Sequence, residues 1–105
     1  MVTKVNIKKG DYGMTYQFTI ENVNLSQAAG YTPKINIWKG ITSLITGGSC
    51  TSVYTSPDTI VSYIVATEAT SVEGRWSGEI EFTKTGYKES TKTFEWEVEV
   101  SNPAS

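Results

Sequence analysis

The run Phe94-Glu95-Trp96-Glu97-Val98-Glu99-Val100 alternates apolar and acidic residues without interruption. In a β-strand successive side chains point to opposite faces, so a period of two predicts a strand. Phe94, Trp96, Val98 and Val100 would then face a core, and Glu95, Glu97 and Glu99 would face water. Met14, Tyr16, Phe18 and Ile20 repeat the pattern around Thr15, Gln17 and Thr19, and Trp76, Gly78, Ile80 and Phe82 repeat it around Ser77, Glu79, Glu81 and Thr83.

Weaker strand signals lie between these segments. Val5 and Ile7 begin a first strand that Lys8-Lys9-Gly10-Asp11 ends. Pro33 leads into Ile35, Ile37 and Trp38, stopped by Lys39-Gly40, and Ile41 to Ile45 either continues that strand or forms a connecting one. Gly47-Gly48 is a turn signal. Thr51 to Thr55 is closed by Ser56-Pro57-Asp58. Ile60 to Ala66 is the most apolar segment, and its blurred alternation is expected of a strand with neighbours on both faces. Leu25 to Gly30 is the one helix-like stretch, Glu68 to Gly74 reads as a loop, and Lys84 to Glu89 as a polar hairpin region.

About seven short strands separated by turn residues predict an all-β sandwich or barrel. No segment is long enough for the crossover helices of a parallel α/β fold. The 105 residues fit one domain, 1–105, with its core over about 4–100 and a flexible tail at 101–105. About a quarter of the residues are Ser or Thr, and three Trp and six Tyr suit pleated surfaces packed on one side.

Nine basic and eleven acidic residues leave a net charge of −2. The lysines are scattered and Arg75 is the one arginine, which argues against a nucleic-acid partner. No secretory leader follows Met1 and no apolar run approaches membrane-spanning length, so no membrane partner and synthesis in a cytoplasm are expected.

Catalytic schemes fail for want of parts. Without histidine, Ser-His-Asp and Cys-His arrangements are excluded. Cys50 can form no internal disulfide, lacks a basic neighbourhood and reads as a passive small side chain. Glu79/Glu81 and Glu95/Glu97/Glu99 are the densest carboxylates, but they sit on wet faces where a raised, proton-donating pKa is not expected. On the last strand such a row of like charge would discourage edge-to-edge aggregation. Asp11 and Asp58 lie in no calcium-loop pattern. No catalytic, cofactor-binding or metal-binding residue is assigned, and no enzyme activity or cofactor is expected.

Aromatic residues carry the binding signal. Tyr16, Phe18, Trp76, Phe82, Phe94 and Trp96 fall on apolar faces and read as core. Trp38 stands one residue off the Ile35/Ile37 face, which turns it outward unless the strand bulges. Trp38, Tyr12, Tyr31, Tyr54 and Tyr87 are the candidate interface residues, since exposed aromatics stack on sugars or anchor protein contacts.

The order of these motifs resembles the immunoglobulin-like domain of tailed-phage structural proteins, the type at the N-terminus of baseplate upper proteins. The resemblance covers about residues 4–100. It rests on the turn Lys9-Gly10-Asp11-Tyr12-Gly13 before Met14 to Ile20, on Asn24-Leu25-Ser26, on Lys34-Ile35-Asn36-Ile37-Trp38-Lys39-Gly40 and on Val61-Ser62-Tyr63-Ile64-Val65. Gly74-Arg75-Trp76-Ser77-Gly78-Glu79-Ile80-Glu81-Phe82 and Thr93-Phe94-Glu95-Trp96-Glu97-Val98 complete it. Two features depart from the pattern. Gln27 to Pro33 is longer than the expected compact turn, and no stalk or receptor-binding head follows the last strand. The resemblance therefore implies an immunoglobulin-like antiparallel sandwich acting as a head-decoration, head-fibre-base, baseplate or tail accessory protein of a virion. Its expected partners are other virion structural proteins, further copies of itself and host-surface glycans. The alternative reading is a carbohydrate-binding β-sandwich module. Coplanar exposed rings would favour that alternative, and burial of all three tryptophans would oppose it.

Overall fold

In the computed structural model, which describes residues 4–91 and 93–100, each strongly alternating segment is a strand. The segment 101–105, expected to be a flexible tail, lies outside the described residues. The strands are β1 (Lys4–Lys8), β2 (Thr15–Ile20), β3 (Thr32–Lys39), β4 (Thr42–Ser49), β5 (Thr51–Thr55), β6 (Asp58–Ile64), β7 (Gly74–Lys84), β8 (Tyr87–Ser90) and β9 (Phe94–Glu99). The larger sheet runs β1-β9-β7-β3-β4, with β8 paired to the far half of β7, and the smaller runs β2-β6-β5. The helix-like stretch is a single 3-10 turn, Gln27–Ala29, capped by the Ser26 hydroxyl, which accepts from the Ala29 N–H.

This is an immunoglobulin-like sandwich by its pairing. With β2 as B, β3 as C, β4 as C′, β5 as D, β6 as E, β7 as F and β9 as G, the two sheets are C′CFG and BED. Two details correct the expectation of about seven antiparallel strands. Of the two readings of Ile41 to Ile45 the connecting strand holds, as β4; β8 is an additional strand in the polar hairpin region, and β1 pairs with β9 in parallel, from Lys4 opposite Glu95 to Lys8 opposite Glu99. Alternation shows which face a residue takes; it does not show which strand lies beside it.

The core lies between the sheets. Phe18, Ile35, Ile37, Val61, Ile80, Phe82 and Trp96 are wholly buried. Phe18 of the smaller sheet packs on Phe94 of the larger, with ring centroids 4.9 Å apart. Gly78 makes room for that contact, because a Cβ there would sit 2.5 Å from the Phe94 ring. The chain holds one cysteine, so this aromatic pair, with no disulfide, ties the two layers together at this point.

The segment read as a loop before β7 also contributes to the core. It contains a 3-10 turn, Thr67–Thr70, whose Ala69 and Thr70 are buried. The Trp96 indole N–H donates to the Ala69 carbonyl at 2.9 Å and that of Trp76 to the Val72 carbonyl at 3.1 Å. A buried tryptophan needs such an acceptor for its one polar atom. The same turn steadies the crossing from β1 to β2. Thr70 Oγ1 donates to the Asp11 carbonyl at 2.7 Å, and Gly13, at φ +90°, donates its N–H to the Val65 carbonyl at 2.9 Å. That left-handed conformation favours glycine.

Two further expectations are corrected. β6 alternates cleanly: Thr59, Val61 and Tyr63 are buried, and Ile64 is 65% exposed. The smaller sheet has only one packed face, so an apolar run need not mean cover on both sides. Val100 does not continue the inward face of β9. The strand ends at Glu99, and Val100 is exposed.

Candidate functional site

The acidic row on β9 is the densest set of titratable groups. Glu95, Glu97 and Glu99 are half-buried and paired. Lys4 Nζ lies 3.1 Å from Glu95 and 2.9 Å from Glu97, Lys8 lies 3.3 Å from Glu99, and Arg75 lies 3.9 Å from Glu97. The parallel register of β1 on β9 sets the lysines opposite the acids. Hydrogen bonding to Lys4 holds the Glu97 carboxyl below its ordinary range, and the same bond raises the Lys4 ammonium. A carboxylate held ionised is the opposite of a general acid. The idea that this row guards a sheet edge is also corrected, since β9 lies inside the sheet between β1 and β7.

Cys50 is buried, and desolvation pushes its thiol up to about 12. At neutral pH it is therefore a neutral thiol with little nucleophilic character. The Asp58 carboxylate accepts the Asn22 N–H at 3.1 Å, bracing the turn after β2. Among the described residues no three acidic or cysteine side chains cluster as a metal site would require.

The five candidate interface aromatics do not form one site. Tyr31 and Tyr87 meet at the β7–β8 hairpin, with ring centroids 5.6 Å apart and planes at 73°. Lys84 caps the pair, its Nζ 4.4 Å from the Tyr31 centroid and 5.6 Å from that of Tyr87. The Tyr87 hydroxyl donates to the Glu89 carboxylate, and that bond raises its pKa. Trp38 lies at the other end of β3, about 20 Å away at strand spacing. It is half-buried on the outer face of the larger sheet, paired with Ser43 and Ser77. The strand does turn it outward, and the pairing with β4 is also bulged on either side of Ile37. Tyr12 is exposed in the β1–β2 turn, and Tyr54 is exposed on β5.

The outer face of the smaller sheet was not singled out by its sequence. The registers place Thr15, Gln17 and Thr19 of β2, Ile60, Ser62 and Ile64 of β6, and Thr51, Val53 and Thr55 of β5 on it. Among the strand residues of this face Asp58, at one end, is the one charge. Val53 is 60% exposed and lies opposite Ile60, and Ile64 is exposed beyond it. Ile41, fully exposed at the tip of the β3–β4 turn, is a second unforeseen apolar group. The available signal was the absence of charge from Thr51 to Thr55 and from Thr59 to Ala66.

No family model matches the chain, and no curated protein matches its sequence. Among solved structures it is similar to the M1 domain from titin at 13% identity and a TM-score of 0.32, over 94% of this chain and 91% of that one. A likeness at that score carries no argument, and the immunoglobulin-like assignment rests on the strand pairing described above.

Proposed function

We propose that this chain is a non-enzymatic structural protein of a tailed-phage virion, an assembly or adhesion module that works by docking. The observation that carries the docking role is the outer face of the smaller sheet. It offers Val53, Ile60 and Ile64 among threonine and serine, with a single carboxylate at its end. Such a face can be covered without stranding a buried charge. The phage attribution is supported by the ordered motif set. Its turn Lys9 to Gly13 falls where the chain crosses between sheets, and its segment Gly74-Arg75-Trp76 opens β7.

The carbohydrate-binding alternative draws less support. Trp76 and Trp96 are core residues. The one aromatic pair brought together at the surface has its rings at 73°, which makes no flat platform for a sugar. Electron microscopy of purified phage particles with a labelled antibody against this protein tests the proposal. Label at a fixed position on head or tail is expected, and absence of the protein from purified particles would overturn it.

A further inference from the structure

The two sheets treat their edges differently. A strand edge with free backbone N–H and C=O groups recruits other strands unless something blocks it. In the larger sheet β1 carries Lys4 and Lys8 on its exposed side, β4 is irregular at two points in its register, and β8 is four residues long and carries Lys88 and Glu89. In the smaller sheet β5 is covered at Ser52, whose N–H donates to Gln27 Oε1 at 3.2 Å and whose hydroxyl donates to the Leu25 carbonyl at 3.0 Å. β2 has none of these devices. Thr15-Tyr16-Gln17-Phe18-Thr19-Ile20 contains no charge, proline or glycine, and it pairs with β6 over its whole length without a register shift. No strand among the described residues pairs with its other side.

The hydrogen-bond phase identifies which groups are free there. The Val65 N–H donates to the Met14 carbonyl at 2.9 Å. In an alternating antiparallel ladder this turns the backbone groups of Tyr16, Phe18 and Ile20 towards β6. Those of Thr15, Gln17 and Thr19 then point to the open edge. The capped Ser52 N–H on the opposite side of the sheet fits the same phase.

We propose that this edge pairs with β2 of a second copy of the chain, antiparallel about a two-fold axis at Gln17, joining two smaller sheets into one of six strands. In that register Thr15 meets Thr19 of the other copy and Gln17 meets its counterpart. The free groups of these residues form closely spaced pairs, giving about six main-chain hydrogen bonds. Tyr16 meets Phe18 on the core side, so the apolar and polar faces of both copies match. Self-pairing also sets no like charges against each other, whereas a two-fold at Asn6 of the edge strand β1 would set Lys4 against Lys8. The edge is short, so a weak dimer is expected, and copies fixed on a common surface would gain from their effective concentration. The proposal adds a contact to the assembly reading, but its geometry stands without any virion.

Sedimentation velocity of the purified chain up to about 1 mM, the effective concentration that short tethers supply, tests it. A dimer fraction that grows with concentration is expected, with hydrogen exchange slowing in step at the amides of Thr15, Gln17 and Thr19. Gln17→Lys sets two ammonium groups against each other at the axis and should weaken the dimer at least tenfold. Ile41→Lys, on the β3–β4 turn of the larger sheet, should leave it unchanged. A monomer at every concentration would overturn the proposal. So would a dimer that tolerates Gln17→Lys and is lost with Val53→Lys, which would move the contact to the sheet face. Neither result bears on whether the protein is found in phage particles, which the antibody experiment decides separately.

Discussion

The outer faces of the two sheets are built on opposite principles. On the larger sheet Lys4 and Lys8 face Glu95, Glu97 and Glu99, Arg75 faces Glu97, and Lys88 lies 3.3 Å from Glu81. On the smaller sheet the same positions hold threonine, serine, glutamine, valine and isoleucine, with Asp58 at one end, and hydroxyl groups hold the connections around it. Thr59 Oγ1 donates to the Val23 carbonyl at 2.6 Å and accepts the Leu25 N–H at 2.8 Å, and Ser52 Oγ donates to the Leu25 carbonyl. A charged face keeps its water and its partners screened by salt. An uncharged face loses little when covered. The difference makes the outer face of the smaller sheet the less costly one to cover.

The sheets are unequal inside as well. The larger supplies Val5, Ile7, Ile35, Ile37, Trp76, Ile80, Phe82, Phe94, Trp96 and Val98 to the core, while the smaller supplies chiefly Phe18, Val61 and Tyr63. Phe18 is therefore the main hold of the smaller sheet on the larger one. Phe18→Ala should cost about 3–5 kcal/mol. Urea unfolding followed by tryptophan fluorescence measures it. A loss below about 1 kcal/mol would show that the smaller sheet is held mainly by its connections.

Those connections are the next point of attack. Thr59 is wholly buried and its hydroxyl serves two backbone groups. Thr59→Val keeps the shape but leaves the Leu25 N–H and the Val23 carbonyl without that partner. A loss of about 1–3 kcal/mol is expected. Because the bonds are buried and uncharged, the loss should be the same in dilute buffer and in strong salt. A marked salt dependence would show that the two sheets do not differ in the way their faces suggest.

Much of the fold was legible in the sequence, and the contrast between the two outer faces was not. Alternation from Phe94 and from Met14 located the strands and named Phe18, Phe94 and Trp96 as core, because a period of two records burial directly. It carried no information on neighbours. The parallel pairing that sets Lys4 against Glu97 joins residues over ninety positions apart, and nothing local to either strand announces it. Gly47-Gly48 read as a turn, yet it lies within β4, where a bulge lets glycine stay in a strand. Of the candidate site, Tyr31 and Tyr87 were named individually, but their meeting depends on how the β7–β8 hairpin folds back beside the start of β3. The open edge of β2 depends on which of the described strands stand beside it, and no single stretch of sequence encodes that.

The smallest expected effect tests the charged face itself. Lys4→Met removes the ammonium that Glu95 and Glu97 share, while Arg75 still lies near Glu97. These groups are accessible to solvent, so the drop in melting temperature should be slight in dilute buffer and vanish at about 1 M salt, where the screening length is about 3 Å. The pH dependence has two limbs. Glu97 is held below its ordinary pKa, so its contribution is complete above the usual carboxylate range and is lost as pH falls through the lowered value. Lys4 is held above its ordinary pKa, so its contribution is complete below the usual lysine range and is lost as pH rises through the raised value. The difference between the parent chain and Lys4→Met should therefore be flat from mildly acidic to mildly alkaline pH and close towards zero at both extremes. Thermal melts across pH at low salt measure it. A difference that persists in strong salt or in acid would mean that Lys4 acts through the packing of its aliphatic stem on β9, and the larger sheet would then owe less to charge than its outer face implies.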